Sequence, residues 1–154
     1  MQPGRTDLPL DEAALLISSA IQSGLEVDHW LGQLDELADG VEDRSAEGVA
    51  DHLYTTGHFA GNRTAYYDWH NSCLDRVIAT RTGIPISLSV LMIEVARRVG
   101  VELVGIGMPT HFLVGVANDP DTLFDPFAGG RVLDRDQARA MFVDLTRGQV
   151  PWQD

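Results

Sequence analysis

Apolar residues recur at helical spacing along the first third of the chain. Three segments within this part, LDEAALLISSAIQSG, VDHWLGQLDELADG and RSAEGVADHLYTTG, each end at a glycine, which commonly terminates a helix. In the first segment the apolar stripe consists of Leu10, Ala14, Leu15, Ile17 and Ile21. The pattern predicts short helices over residues 10–55 that pack together as an N-terminal helical part.

The stretch from Pro85 to Val99 has a different pattern, because it is apolar on nearly every face. A helix of that kind is buried, and at 1.5 Å per residue it is about 22 Å long. The polar exceptions are Ser87, Ser89, Glu94, Arg97 and Arg98. A proline suits the first position of a helix, since its ring fixes φ and its missing N–H has no partner there. The sequence therefore predicts a central buried helix over residues 85–99.

After Gly100 the hydrophobic period changes from that of a helix to that of a strand. The segments VELVGIG, HFLVGV and TLFDPF are short and separated by the turn signals MPT and NDPD, which indicates antiparallel strands up to about residue 133. Asp134 is a suitable N-cap for a last helix over residues 135–146 that ends near Gly148. The element order is typical of an α+β fold.

A segment without periodicity, HFAGNRTAYYDWHN, occupies residues 58–71. It is dense in aromatic residues, histidine and turn formers, so we expect an ordered loop. Asn71 or Ser72 is a suitable N-cap for a following helix that runs through Thr80. Asp75 then lies in the first turn, where the helix dipole favours a carboxylate.

Length and charge narrow the class of protein. With 154 residues, 44% of them hydrophobic, the chain is long enough for one domain over residues 1–154, with its core in residues 56–148. The formal net charge is −12, and 14 of the 23 acidic residues lie in residues 1–80. Such a surface repels phosphate backbones and anionic lipid, which argues against nucleic-acid or membrane binding. A basic protein or peptide partner suits it, although an acidic helical face also serves solubility alone.

The cysteine and lysine content excludes an intramolecular disulfide and lysine-based catalysis. The only cysteine is Cys73, so no intramolecular disulfide can form, and all 11 basic residues are arginine, so no lysine Schiff base is available. The chain shows no basic and apolar leader and no apolar run of the roughly 18 residues that a membrane helix needs. A cytoplasmic protein is the expectation, and no cofactor is implied.

Four motifs in a fixed order carry a resemblance to a known family. Gly83-Ile84-Pro85 opens the buried helix, Arg97-Arg98-Val99-Gly100 closes it, His111 starts a strand, and Asp125-Pro126 ends the next strand. This order resembles the transglutaminase-like superfamily, in which Gly-x-Cys opens the helix. The resemblance implies a papain-like core in which His111 and Asp125 form an orienting pair. It also implies that the family's cysteine position falls on Pro85.

Residues of about 55–135 resemble, more closely, the bacterial SirB-type branch of that superfamily. The branch similarly reads Asn-Ser, Gly-Ile-Pro-Ile-Ser-Leu, a His-Phe-Leu strand and Asp-Pro-Phe-x-Gly-Gly, as in NS, GIPISL, HFL and DPFAGG of this chain. It often continues into a tetratricopeptide-like helical region, which has no counterpart in residues 1–154.

The chemistry of the superfamily explains why Pro85 matters. Thiol acyl transfer needs a sulfur at a helix N-terminus, a histidine to hold the proton and a carboxylate to orient that histidine. Pro85 supplies no nucleophile. The leading hypothesis is therefore a non-catalytic protein- or peptide-binding regulatory module on a transglutaminase-like scaffold.

The alternative hypothesis is a hydrolase or acyltransferase that uses His111 and Asp125 with a substitute nucleophile or a metal. Ser87 lies about 200° around the helix from Pro85, which points its hydroxyl away from His111. Cys73 lies on another helix and is typical of a small buried residue. A metal site would have to use His58, Asp68, His70 and His111, which lack ligand spacing.

Candidate binding residues lie in the loop and along the groove beside it. Rigid aromatic side chains bind peptides at low entropic cost, but they could equally pack over the buried helix. The candidates are Tyr66, Tyr67, Trp69, Asn71, Pro85 and His111. We expect Arg63 and Arg81 to form ion pairs with the acidic N-terminal helices. A third hypothesis assigns partner binding to those acidic helices alone, and the oligomeric state is open.

Overall fold

A computed structural model describes residues 8–153 of the chain. The helices in this part are α1 Leu10–Ile21, α2 Val27–Asp39, α3 Ala46–Ala50, α4 Leu74–Thr80, α5 Pro85–Arg98 and α6 Arg135–Thr146. A π-helical turn, Asp51–Thr56, continues α3, and 3₁₀ turns span Trp69–Ser72 and Pro126–Ala128. None of the helices in the described part is long and apolar enough to cross a membrane.

The strands form two sheets, a very small one and the main one. Strands β1 Ala60–Gly61 and β2 Thr82–Gly83 pair in parallel, while β3 Leu103–Met108, β4 His111–Val116, β5 Asp119–Asp125 and β6 Arg131–Leu133 form an antiparallel meander in that order. Helices followed by a meander confirm the predicted α+β fold class.

Helix α5 lies between the N-terminal helices and the sheet, and it contacts α1, α2 and α3 on one side and β3 and β4 on the other. Its fully buried apolar residues are Leu88, Leu91, Met92, Val95 and Ala96. Burying one large aliphatic side chain is worth about 1.5–3 kcal/mol, so this helix supplies much of the core. Pro85 occupies the first helical position, and the Ser87 hydroxyl accepts a hydrogen bond from the Ile84 N–H at 3.1 Å.

The buried face of α1 differs from the predicted stripe. Leu15 is fully buried, but Leu10, Ile17 and Ile21 are 44%, 63% and 56% exposed. Asp11 and Ser18 are buried instead, at four-residue and three-residue spacing from Leu15. The prediction was wrong because both polar groups are satisfied internally: Asp11 pairs with arginines of α5, and the Ser18 hydroxyl donates to Ala14 O at 3.1 Å.

An ion cluster joins α1 and α2 to the C-terminal end of α5. Arg98, whose side chain is 13% exposed, contacts the carboxylates of Asp11, Asp35 and Glu94. Arg97 Nη2 approaches the same Glu94 Oε2 at 2.8 Å. Burial opposes the ionisation of Asp11, but hydrogen bonds from Arg98 and from the Glu12 N–H hold the pKa of Asp11 below its ordinary value.

Arg63 and Arg81 were expected to pair with the acidic helices, but they contact aromatic rings instead. The Arg81 guanidinium lies 4.6 Å above the Phe59 ring and donates to Gly57 O at 3.0 Å, and the Arg63 guanidinium lies 4.7 Å above the Phe127 ring. In the part of the chain that the structure describes, the prediction for Arg63 and Arg81 is therefore wrong. Aromatic faces compete with carboxylates for guanidinium groups, and sequence spacing does not reveal that competition.

The start of α4 also differs from the prediction. Its N-cap is Cys73, without a side-chain cap, because Asn71 and Ser72 belong to the preceding 3₁₀ turn. The polar side chain of Asn71 is used within the loop instead. Asp75 does lie in the first turn, where the Gln22 amide donates to both carboxylate oxygens at 3.2 Å.

Helix α6 packs on the other face of the sheet, over a second apolar cluster that includes Leu113, Leu123 and Ala138. Asp134 caps it, accepting from the Gln137 N–H at 2.7 Å, while the Gln137 side chain accepts from the Asp134 N–H at 2.9 Å. The helix ends at Thr146, and Arg147 and Gly148 follow with positive φ.

Candidate functional site

Three elements meet at one end of α5 and form a pocket of about 250 Å³. The helix contributes Pro85 at its first position, β4 contributes His111 at its start, and the loop before α4 contributes Tyr66. The pocket therefore contains the N-terminal end of the buried helix and the histidine that the motifs singled out.

His111 lies beside Asp125, because β4 begins and β5 ends at the same end of the antiparallel sheet. His111 Nε2 is 3.0 Å from Asp125 Oδ1, and the two side chains are 15% and 4% exposed. The buried Nε2 forms no hydrogen bond of good geometry with any residue between 8 and 153. The pair is thus within ion-pair distance, while a turn of the imidazole ring would be needed for a well-formed hydrogen bond.

Asp125 is held in place from behind. Its Oδ1 accepts from the Ala128 N–H at 3.2 Å and so caps the 3₁₀ turn that follows β5. Tyr54 lies nearby in the core, and its hydroxyl donates to Leu88 O at 3.0 Å. Burial, and then the negative charge of Asp125, raise the pKa of Tyr54 well above its ordinary value, so this phenol stays neutral.

His111 is aimed by the hairpin that joins β3 to β4. Met108 pairs with His111, so the turn contains only Pro109 and Thr110. Thr110 has φ +60°, an unusual value for a β-branched residue. Backbone strain of this kind persists only where the surrounding structure imposes it, and here it lies directly before the site histidine.

Phe127 connects the histidine with the loop. Its ring lies edge-on to His111 at 6.2 Å between centroids and edge-on to Tyr66 at 5.8 Å. A Cβ atom on Gly61 would lie 2.4 Å from this ring, so only glycine fits there. Phe127 was not predicted as a site residue, although its place in the DPFAGG motif was a signal that could have identified it.

Asn71 organises the loop from inside. It is 3% exposed, and its amide nitrogen donates to Ala65 O at 2.7 Å and to Tyr66 O at 3.1 Å. Its side-chain oxygen accepts from the Asn62 amide at 3.0 Å. The structure therefore places Asn71 behind the pocket, where it positions Tyr66, and not among the residues that line it.

The two other aromatic candidates face the solvent. Tyr67 is 96% exposed, and Trp69 is 46% exposed and stacks on His70 at 3.7 Å between ring centroids. Tyr66, in contrast, contacts Phe127 and lines the pocket.

Neither weak nucleophile candidate lines the pocket. The Ser87 hydroxyl donates to Asn71 O at 2.6 Å and is 5% exposed. Cys73 is 1% exposed, and burial raises the pKa of its thiol, which opposes formation of the reactive thiolate.

The residues considered as candidate metal ligands do not lie together. Asp68 and His70 are in contact at 2.6 Å, whereas His111 lies beside Asp125. Among residues 8–153, no group of three or more His, Cys, Asp and Glu side chains could hold a metal ion.

Comparison with known proteins identifies the family. Residues 22–154 match the transglutaminase-like superfamily. The chain therefore belongs to the transglutaminase-like superfamily.

Curated relatives include both bacterial and mammalian proteins. A UPF0162 protein of Xylella fastidiosa is 38% identical over 154 residues, covering 94% of this chain and 55% of the relative. A UPF0162 protein of Vibrio cholerae is 36% identical over 79 residues, 50% of this chain and 29% of the relative. F-box only protein 21 of Homo sapiens is 45% identical over 62 residues, 40% of this chain and 10% of that protein.

The chain spans about half the length of the Xylella relatives that it matches over almost its whole extent. No solved structure matches the chain.

Proposed function

We propose that this chain is a transglutaminase-like domain without the catalytic thiol, which acts as a non-catalytic protein- or peptide-binding regulatory module. The observation that supports the proposal most is the position of Pro85. It occupies the first turn of the buried helix and lines the same pocket as His111, where the resemblance puts the cysteine of the superfamily.

The site keeps the parts that a thiol enzyme needs around its sulfur. A helix N-terminus favours negative charge, a histidine faces the pocket, and a buried carboxylate lies behind that histidine. Pro85 has neither a thiol nor a hydroxyl, so the scaffold supports recognition at this position without covalent chemistry.

The surroundings of the pocket favour a peptide as the ligand. Tyr66 and Pro85 give the pocket rigid apolar walls, and Ile86 at its rim is 50% exposed. Grooves with such walls bind extended segments by burying area at low conformational cost. The net charge of −12 favours a segment with basic character.

The alternative, a hydrolase or acyltransferase with a substitute nucleophile, rests on the close approach of His111 and Asp125. It requires a nucleophile within reach of His111. The hydroxyl of Ser87 is bound to Asn71 O, and Cys73 is buried away from the pocket, so the binding hypothesis fits the geometry better.

Selection of peptides from a random phage-displayed library, followed by NMR mapping on the ¹⁵N-labelled protein, tests the proposal. Bound peptides should shift the amide signals of Ile84, Ile86 and residues 110–112. Shifts confined to residues 26–51 would instead place binding on the acidic helices. Turnover of ester or amide substrates that disappears in His111→Ala would contradict the non-catalytic assignment.

A further inference from the structure

Two large aromatic side chains are displayed on either side of a carboxylate in the loop that borders the pocket. Tyr67 is 96% exposed and Trp69 is 46% exposed, with Asp68 between them. We call residues 65–70 the aromatic turn. Exposed aromatic side chains close together in the chain are a feature of surfaces that bind a partner.

The aromatic turn is held in a defined conformation. The Asp68 N–H donates to Ala65 O at 3.1 Å, which closes a turn with Tyr66 and Tyr67 at its centre. The rings of Tyr66 and Tyr67 meet edge to face at 5.2 Å. Asn71 anchors the start of the turn through Ala65 O and Tyr66 O. The exposed rings are therefore positioned before any ligand arrives, which lowers the cost of binding.

Asp68 supplies a negative charge between the rings. Hydrogen bonds from the backbone N–H and the side chain of His70 lower the pKa of Asp68, so this carboxylate is ionised at neutral pH. Both bonds use Oδ1, at 3.0 Å and 2.6 Å. Oδ2 makes no hydrogen bond to any residue between 8 and 153 in this structure, and the side chain is 42% exposed.

The loop already uses the same chemistry inside the molecule. Arg63 lies 4.7 Å above Phe127, and Arg81 lies 4.6 Å above Phe59, so guanidinium groups at both ends of this region rest on aromatic faces. Within the aromatic turn, one face of Trp69 stacks on His70, and the ring of Tyr67 and the remaining surface of Trp69 are exposed to solvent.

We propose that the aromatic turn binds an arginine or lysine side chain of the protein partner. The cation would lie against the ring faces of Tyr67 and Trp69 and pair with Asp68 Oδ2. This inference rests on the proposed function, because Tyr66 joins the turn to the pocket and the two would contact one partner segment. The net charge of −12 favours the approach of such a cationic segment.

The test compares two peptides of the same shape and different charge. The probes are acetyl-Gly-Arg-Gly-amide and its citrulline counterpart, which keeps the length and planar shape of arginine but replaces one NH₂ donor with a carbonyl oxygen and carries no charge. The readout is the indole N–H signal of Trp69 in ¹⁵N NMR spectra at low salt, and the indole signals of Trp30 and Trp152 serve as internal controls. The arginine peptide should shift the Trp69 signal saturably, with an apparent affinity about two- to fivefold above that of the citrulline peptide.

Substitutions in the aromatic turn test which residues bind the arginine peptide. Tyr67→Ala should reduce the affinity for the arginine peptide about two- to fivefold. Asp68→Asn should reduce it about twofold, whereas Glu42→Gln, which removes an equal charge from the exposed connection between α2 and α3, should leave it unchanged.

The outcomes separate this inference from the proposed function. If both peptides shift Trp69 equally, or if the arginine peptide shifts only residues 26–51, the cation site is wrong. If phage-selected peptides at the same time shift the amide signals of Ile84, Ile86 and residues 110–112, the proposed binding groove is supported and only the cation site is wrong. If the arginine peptide acts at Trp69 while no selected peptide reaches the pocket, the turn binds cations but the proposed groove is wrong.

Discussion

Polar groups lie at both ends of the buried helix α5, but their pairing differs between the two ends. At the C-terminal end, Arg98 contacts three carboxylates, so the buried charges are paired. At the N-terminal end, His111 Nε2 is buried 3.0 Å from Asp125 without a well-formed hydrogen bond, and the imidazole borders a pocket. Saturated pairing is typical of a structural role, whereas an incompletely paired group at a pocket is typical of a site that meets a ligand.

The comparison also separates stability from function. The C-terminal cluster joins three helices and is expected to dominate the cost of mutation. The N-terminal end shows strain at Thr110 and open aromatic surface at Tyr67, features that we propose serve recognition and that contribute little to folding.

The largest expected effect comes from Arg98→Ala. The substitution leaves the buried carboxylates of Asp11 and Glu94 paired only with the more exposed Arg97. Breaking a buried pair costs about 3–5 kcal/mol when no partner remains, so the loss here should approach about 3 kcal/mol. Chemical denaturation measures the loss in free energy of unfolding. Arg97→Ala is the matched control, because Arg97 is 56% exposed and its pairs are worth about 0–1 kcal/mol. Equal losses for the two variants would contradict a structural role that depends on burial.

The second prediction concerns the stability of the protein at low pH. The pKa of Asp11 is lowered in the folded state, so its contribution to stability is fully present above the unfolded value of about 3.9 and is lost as the pH falls through the folded pKa. Asp11→Asn should therefore be less stable than the wild type near neutral pH and lose less stability between about pH 5 and pH 3. Parallel curves of unfolding free energy against pH would contradict the assignment.

The third prediction concerns the pocket. His111→Ala should leave the melting temperature nearly unchanged, with a loss below about 1 kcal/mol, since the imidazole has no well-formed hydrogen bond to lose. It should abolish binding of groove-selected peptides. His29→Ala on α2 is the control, because it removes an exposed imidazole elsewhere. A large loss of stability in His111→Ala would make this residue a packing residue and would remove the contrast between the two helix ends.

The smallest effect is expected for Thr110→Gly. Glycine relieves the strain of φ +60° but adds flexibility to the unfolded chain, so the net change in stability should lie within about 1 kcal/mol of zero. Peptide binding should fall because the turn no longer fixes His111. If binding is unchanged, the hairpin strain has no role in aiming the histidine.

Much of the fold follows from the sequence where one interaction dominates. The continuous apolar pattern of α5 and the cap at Asp134 gave the right elements, because burial and capping are local signals. The sequence did not reveal the buried face of α1, since Asp11 is stabilised inside by Arg98 from 87 positions away. Strands β1 and β2 were also missed, because two-residue strands carry no periodicity.

The candidate site was foreseeable only in part. The order of the motifs identified His111 and Asp125 as site residues. The antiparallel meander brings them together, because it places the start of β4 beside the end of β5. The role of Asn71 inside the loop and the contact of Phe127 with His111 depend on tertiary contacts that no local pattern encodes.

Pro85→Cys in a Cys73→Ala background tests the central claim most directly, because it returns a sulfur to the proposed position. The measurement is the rate of alkylation by iodoacetamide against pH, with and without His111→Ala. The account predicts that the introduced thiol reacts as a thiolate below the usual pKa of about 8.5 and that His111→Ala moves its profile back toward that value. A thiol with an ordinary profile that ignores His111 would contradict the claim that this pocket is a thiol site without its sulfur.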